Sequence, residues 1–422
     1  MPLTTNQVRG FWAAWAGWAL DGMDSFIYAL VLVPALRDLL PRSGLAATAD
    51  NIGFYGGVLF AIFLMGWGCA FLWGPIADRF GRVRTLVLTI LCYSLFTFLG
   101  SVAAGVWQLA LFRFLAGAGI GGEWTLGGVF VAEEWPEERR KQGAAWMHTG
   151  YYFGVFLAAI VNYTIGSRYG WRAVFAVGGT PALLVAFIQY GVSEPQRWRN
   201  RLQNLARPWT AGDAFRALFS SEYRRRTIVN STLLLVSMVG LWAGSVYVPS
   251  SVNYLATHEG LTPADAARMA SYATMLLSAG TILGCLLLPL TADRFGRRAS
   301  LGFYFVLMFL FISLGFGYVY YLDHALPWFM VCLFFLGVGG TNFAVYTLWL
   351  PEQYRTECRG SAFAFATSFG RFLAAGITFL VGAGVARMHT IGTPVALTSV
   401  AFLVGILLLR WAEETTGREL PS

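Results

Sequence analysis

The chain has 422 residues, 57% of them hydrophobic and only 12% charged, with a mean hydropathy of +0.58. A soluble domain carries about 25% charge, so this sequence has too little polar surface to cover a water-soluble globule, and the lipid bilayer is the solvent that fits. The formal net charge of +8 is spread along the chain as a topology signal and does not call for nucleic acid.

A helix needs about 20 apolar residues to cross a hydrocarbon core about 30 Å thick. Twelve stretches meet this requirement, roughly 11–36, 52–77, 83–104, 106–132, 141–166, 171–192, 227–256, 265–291, 299–321, 325–351, 360–387 and 391–411. They predict an all-α integral membrane protein; a β-barrel would instead show alternating segments of about ten residues. Met1–Arg9 is short and no small-residue cleavage site follows it, so the first apolar stretch is expected to stay as a span.

An ionisable side chain at mid-bilayer costs at least about 2.5–3.5 kcal/mol, which makes each one a functional candidate. Span one carries Asp21 and Asp24. At i and i+3 they share a helix face, and like charges so close favour uptake of a proton. A salt-bridged pair without a titrating role is the alternative. The loop after span two reads Gly74-Pro75-Ile76-Ala77-Asp78-Arg79-Phe80-Gly81-Arg82. Span four carries Arg113 and Glu123, with Arg113, Gly117 and Gly121 on one stripe that lets another helix approach closely. Arg113 lies at the depth of Asp24 and is expected either to pair with Asp24 or Asp21, or to bond to backbone carbonyls. Glu123 is a second protonation candidate or part of an inner gate. Span five contributes His148, Tyr151, Tyr152 and Asn162 as possible cavity-lining groups.

The longest polar segment, Ser193 to Arg226, is arginine-rich, and Ala211–Phe219 within it suits a short surface helix. Beyond it, Trp242 and Tyr247 in span seven and Asn342 and Tyr346 in span ten are further cavity candidates. The loop after span eight repeats the earlier one: Asp293-Arg294-Phe295-Gly296-Arg297 follows Asp78-Arg79-Phe80-Gly81-Arg82 at an interval of 215 residues. A second echo links Ala132-Glu133-Glu134-Trp135-Pro136 to Pro351-Glu352-Gln353-Tyr354. The repeat divides the chain into a half at 1–192, a linker at 193–226 and a half at 227–422. Arg371, in span eleven, has no acid at similar depth in its own half. Arginine binds carboxylates bidentately, so its partner is expected to be a substrate anion or an acid of the first half.

With the amino terminus inside, 22 of the 30 Lys and Arg fall in inside loops and tails and six in outside loops. This is the positive-inside bias, and it places both termini in the cytoplasm. Cys69, Cys92, Cys285, Cys332 and Cys358 show no metal-ligand or disulfide spacing and read as small buried apolar groups.

The twelve spans, the doubled Asp-Arg-x-Gly-Arg loops and the long central loop resemble the major facilitator superfamily over essentially the whole chain. The resemblance implies two pseudo-symmetric six-helix halves and alternating access. The loop residues Gly74, Asp78, Arg79, Gly81, Arg82, Asp293, Arg294, Gly296 and Arg297 are then expected to control an inner gate. Asp21-Gly22-Met23-Asp24 resembles the Asp-Gly-x-Asp signature of aromatic-acid:proton symporters. Gly121-Gly122-Glu123-Trp124 is similar to sialate:proton symporters and their lactate/pyruvate permease relatives, and Arg371 to the span-eleven arginine of organic-anion transporters. Ser193-Glu194-Pro195-Gln196-Arg197-Trp198 resembles a sugar-porter motif, departing from it at Ser193 and Gln196.

The expectation is a proton-coupled symporter of a small organic carboxylate, monomeric, in a plasma membrane of bacterial inner-membrane type. No enzyme activity, nucleic acid or cofactor is expected; the proton gradient drives it. Asp21, Asp24, Arg113 and Glu123 handle the proton. Arg371, Asn342, Tyr346, Trp242, Tyr247, Tyr152 and His148 line the substrate site. Two other readings use the same fold: a proton-antiport exporter of amphipathic compounds, and a solute sensor.

Overall fold

The structure, a computed structural model, describes residues 3–203, 210–245 and 247–421. Helices α1 (Thr5–Arg42), α2 (Ala49–Gly68), α3 (Trp73–Phe80), α4 (Arg82–Gly100), α5 (Val106–Glu134) and α6 (Glu137–Val161) open the chain. Helices α7 (Ser167–Val177), α8 (Ala182–Gly191), α9 (Gln196–Gln203) and α10 (Ala211–Leu218) follow. Next come α11 (Arg224–Ser245), α12 (Val248–His258), α13 (Pro263–Gly317), α14 (Ala325–Gly340) and α15 (Asn342–Trp349). Helices α16 (Arg359–Met388), α17 (Gly392–Leu397) and α18 (Val400–Leu408) complete it. No strand occurs among the described residues.

Eight helical segments among these are long and apolar enough to cross a membrane, and the bent pair Thr5–Tyr28 and Leu30–Arg42 makes a ninth. One of the eight, Arg268–Tyr321, has 54 residues, about 80 Å of helix. That is more than twice a bilayer core. It contains Gly296 at φ 84°, where the chain breaks direction, so it accounts for two spans.

Local chemistry sets the ends. Thr4 and Gln7 form a capping box at the start of α1, and Thr210 and Asp213 form one at the start of α10. Thr48 and Thr262 cap α2 and α13 in the same way with their hydroxyl oxygens. Gly81 has φ 118°, a value that an L side chain rarely adopts, and it turns the chain from α3 into α4.

The described chain falls into two compact units: Met1–Arg224 with Leu350–Phe372 and Glu419–Ser422, and Arg225–Trp349 with Leu373–Arg418. In the first, α2 and α5 touch through reciprocal glycines. A Cβ on Gly66 would lie 2.0 Å from the Phe114 carbonyl oxygen, and one on Gly117 would lie 2.4 Å from that of Phe63. In the second, the two halves of the same contact recur between α13 and α14: a Cβ on Gly280 would meet the Phe334 oxygen at 2.1 Å, and one on Gly337 the Leu277 oxygen at 2.1 Å. The hydrophobic effect does not drive helices together within lipid, so close backbone packing of this kind does.

The stripe foreseen from Arg113, Gly117 and Gly121 is therefore the seam with α2, where a Cβ on Gly121 would strike Ala70 and Trp67. Backbone cannot yield there, and overpacking costs about 1–3 kcal/mol. Gly117→Val should accordingly lower the thermal unfolding midpoint of the detergent-purified protein. Gly57→Ala, where an added Cβ meets nothing within 4 Å, should leave it unchanged.

Candidate functional site

The first unit holds two sets of buried charges. The first lies among α1, α5, α6 and the opening turns of α16. Asp21, Asp24, Arg113, Glu123 and Arg371 are all at most 2% exposed. Asp24 accepts a hydrogen bond from the Thr97 hydroxyl at 2.9 Å, and its Oδ2 lies 3.7 Å from Nη1 of Arg113. The Arg113 guanidinium is further held over the rings of Tyr28 and Phe63, at 4.7 and 4.2 Å from their centroids. Of the two acids offered as its partner by the sequence, Asp24 is the one it meets.

Asp21 has different surroundings. Among the described residues neither of its carboxylate oxygens, nor either oxygen of Glu123, is met in full hydrogen-bond geometry, although the Ser25 and Thr89 hydroxyls lie beside them. Glu123 rests against α1 at Gly17, where a Cβ would come within 1.9 Å of Oε1. Gly17 is one helical turn from Asp21, so the two acids share the same side of α1. Arg371 is within electrostatic reach of Asp21. Its guanidinium carbon lies 4.5 Å from the ring centre of Trp67 and 5.8 Å from that of Trp124, and its Nη1 has no hydrogen-bond partner. Cation–π contact at these distances stabilises a desolvated guanidinium.

Aromatic rings enclose this set. Trp18 stacks on Trp124 at 5.8 Å and lies 4.8 Å from Tyr151; His148 packs against Trp18, Trp124 and Tyr152. Among the residues singled out from sequence, the first unit thus brings together Asp21, Glu123, His148, Tyr152 and Arg371. Trp18, Trp67 and Trp124 belong to the same place; Trp124 stood only as the end of the Gly121-Gly122-Glu123-Trp124 motif, and Trp18 and Trp67 carried no signal, since tryptophan is common in this chain. Asn342 and Tyr346 lie in the second unit, where Asn342 donates to the Gly339 carbonyl at 2.8 Å and the Tyr346 hydroxyl is 3.0 Å from that of Ser237. Tyr247 is half-buried there, next to Gly382. The Trp242 side chain lies outside the described residues.

The second set of charges surrounds the first repeated loop. Asp78 accepts from the backbone N–H of Gly360 at 3.0 Å and of Ser361 at 2.8 Å, and so caps α16. It also pairs with Arg82 at 2.9 Å. Glu133 lies between two arginines, 3.0 Å from Arg82 and 2.7 Å from Arg359, with all three side chains fully buried. Gly74 presses on the same helix start, where a Cβ would come within 2.5 Å of Ser361 Cα. Arg79 instead stacks beside the exposed ring of Phe80 at 5.1 Å.

The second loop repeats part of this. Glu194 accepts from the N–H groups of Arg82, Val83 and Arg84 at 2.7–3.1 Å, and in the other unit Glu414 accepts from those of Arg297 and Arg298 at 3.1 and 3.0 Å. Arg82 and Arg297 each donate to the carbonyl five residues back, at Ala77 and Ala292. The repeats differ at the aspartate: Asp78 is buried, whereas Asp293 is exposed, as is Arg294. Glu133, Glu194, Arg359 and Glu414 were not named as site residues from sequence. The signal was there in part, since Glu194 and Glu414 follow the sixth and the twelfth span at corresponding places.

Buried, opposed charges inside a polytopic helical bundle are a feature of membrane transporters among other functional membrane proteins. The Major Facilitator Superfamily matches residues 14–291, and the chain belongs to this family; its fold is the twelve-helix, two-half fold. The chain is 29% identical to a probable 4-methylmuconolactone transporter of Cupriavidus pinatubonensis, over 98% of this chain and 92% of that one. It is 26% identical to the niacin transporter NiaP of Acinetobacter baylyi, over 100% and 97%. Among solved structures, the proton:xylose symporter XylE bound to 6-bromo-6-deoxy-D-glucose superposes with a TM-score of 0.79 at 20% identity, covering 98% of each chain.

Burial opposes ionisation of Glu414, but bonds from the Thr416 hydroxyl and from the N–H groups of Arg298, Arg297 and Thr416 outweigh it and hold the carboxyl below its usual range. A carboxyl with a lowered folded-state pKa adds stability above its unfolded pKa, about 4.3 for Glu, and that stability is lost as pH falls through the folded value. Glu414→Gln should therefore melt below wild type at pH 7, and the gap should close as pH drops below about 4. A gap that stays constant over this range in thermal scans would contradict the capping role.

Proposed function

We propose that the chain is a proton-coupled symporter that takes up a small organic carboxylate by alternating access between halves at 1–192 and 227–422. It acts as a monomer in a plasma membrane of bacterial inner-membrane type, with both termini cytoplasmic. The observation that carries this reading is Arg371, fully buried between two tryptophan rings with a donor unused. Such a group is matched by a carboxylate, which the guanidinium binds bidentately, and the rings suit an unsaturated or aromatic body. The named relatives carry a muconolactone and niacin, compounds of that kind.

Charge balance supplies the coupling. Asp21, Glu123 and Arg371 together carry one net negative charge if all ionise, and buried unbalanced charge is costly. One shared proton makes the set neutral. An incoming carboxylate then restores a negative charge, and a second proton entering with it cancels that charge. Asp24, 3.7 Å from Arg113, belongs with Arg113 to the same proton-handling set. The Asp78 and Asp293 loops act as the inner gate. Asn342, Tyr346, Tyr247 and Trp242 stand as further candidates for substrate contact from their place in the sequence.

The test uses liposomes that hold the purified protein and a pH dye, with a panel of carboxylates, sugars and cationic drugs outside. Acidification is expected with one class of acid, at about one proton per monocarboxylate. Asp21→Asn should abolish it while substrate exchange persists, and Arg371→Ala should weaken substrate affinity by about 100-fold, as loss of a buried charge-assisted contact does. Drug-driven proton efflux with no response to any acid would instead establish an exporter.

A further inference from the structure

The segment after Arg418 makes contacts that neither transport nor the repeated loops require. The second unit ends at Arg418, and Glu419–Ser422 belongs to the first. Just upstream the chain is pinned to the second unit. Glu414 caps Arg297 and Arg298, and the Glu413 carbonyl accepts from the Trp349 indole at 3.0 Å. Just downstream it is pinned to the first. The Leu420 N–H donates to Glu137 at 3.0 Å, the Leu420 carbonyl accepts from Arg197 at 3.3 Å, and the Pro421 carbonyl accepts from Arg359. Leu420 as a whole is 4% exposed, so it is seated in a slot.

Two features make this more than a tail lying on a surface. First, its partner Arg359 is the fully buried arginine that Glu133 shares with Arg82, so the segment completes the bonding of the loop network itself. Glu137 is likewise held ready by Arg140 at 2.7 Å and Arg197 at 3.3 Å. Second, the Leu420 anchor lies only six positions beyond the Glu414 anchor, and six residue steps reach at most about 20 Å when fully extended. A motion that parts the two anchors further has to draw Leu420 from its slot and strip an acceptor from Arg359.

We propose that residues 419–421 form a releasable strap: seated, it holds Arg359 in the network with Glu133, Arg82 and Asp78, and withdrawn, it lets that network open. The strap sets the balance between the two states of the gate and touches no substrate.

Its test needs neither a substrate nor a proton gradient, so it succeeds or fails apart from the symport reading. Cys358, next to Arg359 and 1% exposed, serves as the reporter in full-length protein whose other four cysteines are replaced by serine. Its rate of alkylation by N-ethylmaleimide measures opening. Removal of residues 419–422 and Leu420→Asp should each raise that rate by about tenfold, the shift expected when one state loses a modest preference. Leu420→Met should stay within about twofold, since the slot remains filled. Glu137→Gln removes the charge on the acceptor from the other side, leaves the segment intact, and should raise the rate in the same direction. It also decides the matter if the shortened chain does not fold. Combining Glu137→Gln with the deletion should add little to the deletion alone. Unchanged alkylation in Leu420→Asp and Glu137→Gln would overturn the strap, and so would an equal rise in Leu420→Met.

Discussion

A buried charge in a membrane protein has no water to turn to, and the organisation of the first unit follows from how each one is answered. Glu133 shows the rule at its strictest. One carboxylate serves two guanidiniums, Arg82 and Arg359, and all three side chains are fully buried. Breaking such a set exposes the remaining members to the whole desolvation penalty, typically 3–5 kcal/mol. The Glu133 set therefore fixes where α4, α5 and the start of α16 can lie. Asp78 extends it by capping α16 through two N–H groups, so charge pairing and helix capping converge on one helix end.

The internal repeat shows which parts of this arrangement are architectural. Reciprocal glycine contacts bring α2 to α5 and α13 to α14. A glutamate from the segment after the last span of each half caps the helix that follows each Asp-Arg-Phe-Gly-Arg loop. These features answer needs that both halves share, namely backbone satisfaction at a helix start and close packing within lipid. Among the described residues the buried charge clusters are not duplicated: Asp78 is enclosed and Asp293 exposed, and the counterparts of Asp21, Asp24, Arg113 and Glu123 are absent from the second-half sequence. Asymmetry in otherwise repeated scaffolding marks where the halves have taken different work.

Much of the fold is legible in the sequence because hydropathy and the loop repeat are local signals. The spans, the short helix at Ala211–Leu218, the α5 seam at Gly117 and Gly121, and the depth match of Asp24 with Arg113 all follow from spacing along one helix. What does not follow is anything set by which distant helices meet. Arg371 lacks an acid in its own half, which sequence shows, but its seat between Trp67 and Trp124 depends on the first part of α16 packing in the first unit. Arg359 reads as one more positive loop residue until its partner, Glu133, is seen 226 positions away. Leu420 reads as one more residue of a polar segment, and its backbone partners, Arg197 and Glu137, lie far away in the sequence.

The contrast between the two carboxylates of span one carries the functional argument furthest. Asp21 and Asp24 are three residues apart and equally buried, yet they differ in what surrounds them. Asp24 has a hydroxyl donor and a guanidinium at 3.7 Å, so it has its own partners. Asp21 has a second carboxylate near it, only the Ser25 hydroxyl beside it, and an arginine that is also poised over two aromatic rings. A group whose counter-charge can be claimed by another anion is one whose proton occupancy depends on that anion. In the proposed cycle this makes Arg371 the link between substrate and proton: the carboxylate it binds withdraws its charge from Asp21, and the proton replaces what the arginine no longer supplies. The same geometry predicts that a ligand of similar shape without a carboxylate fills the aromatic enclosure and carries no proton with it.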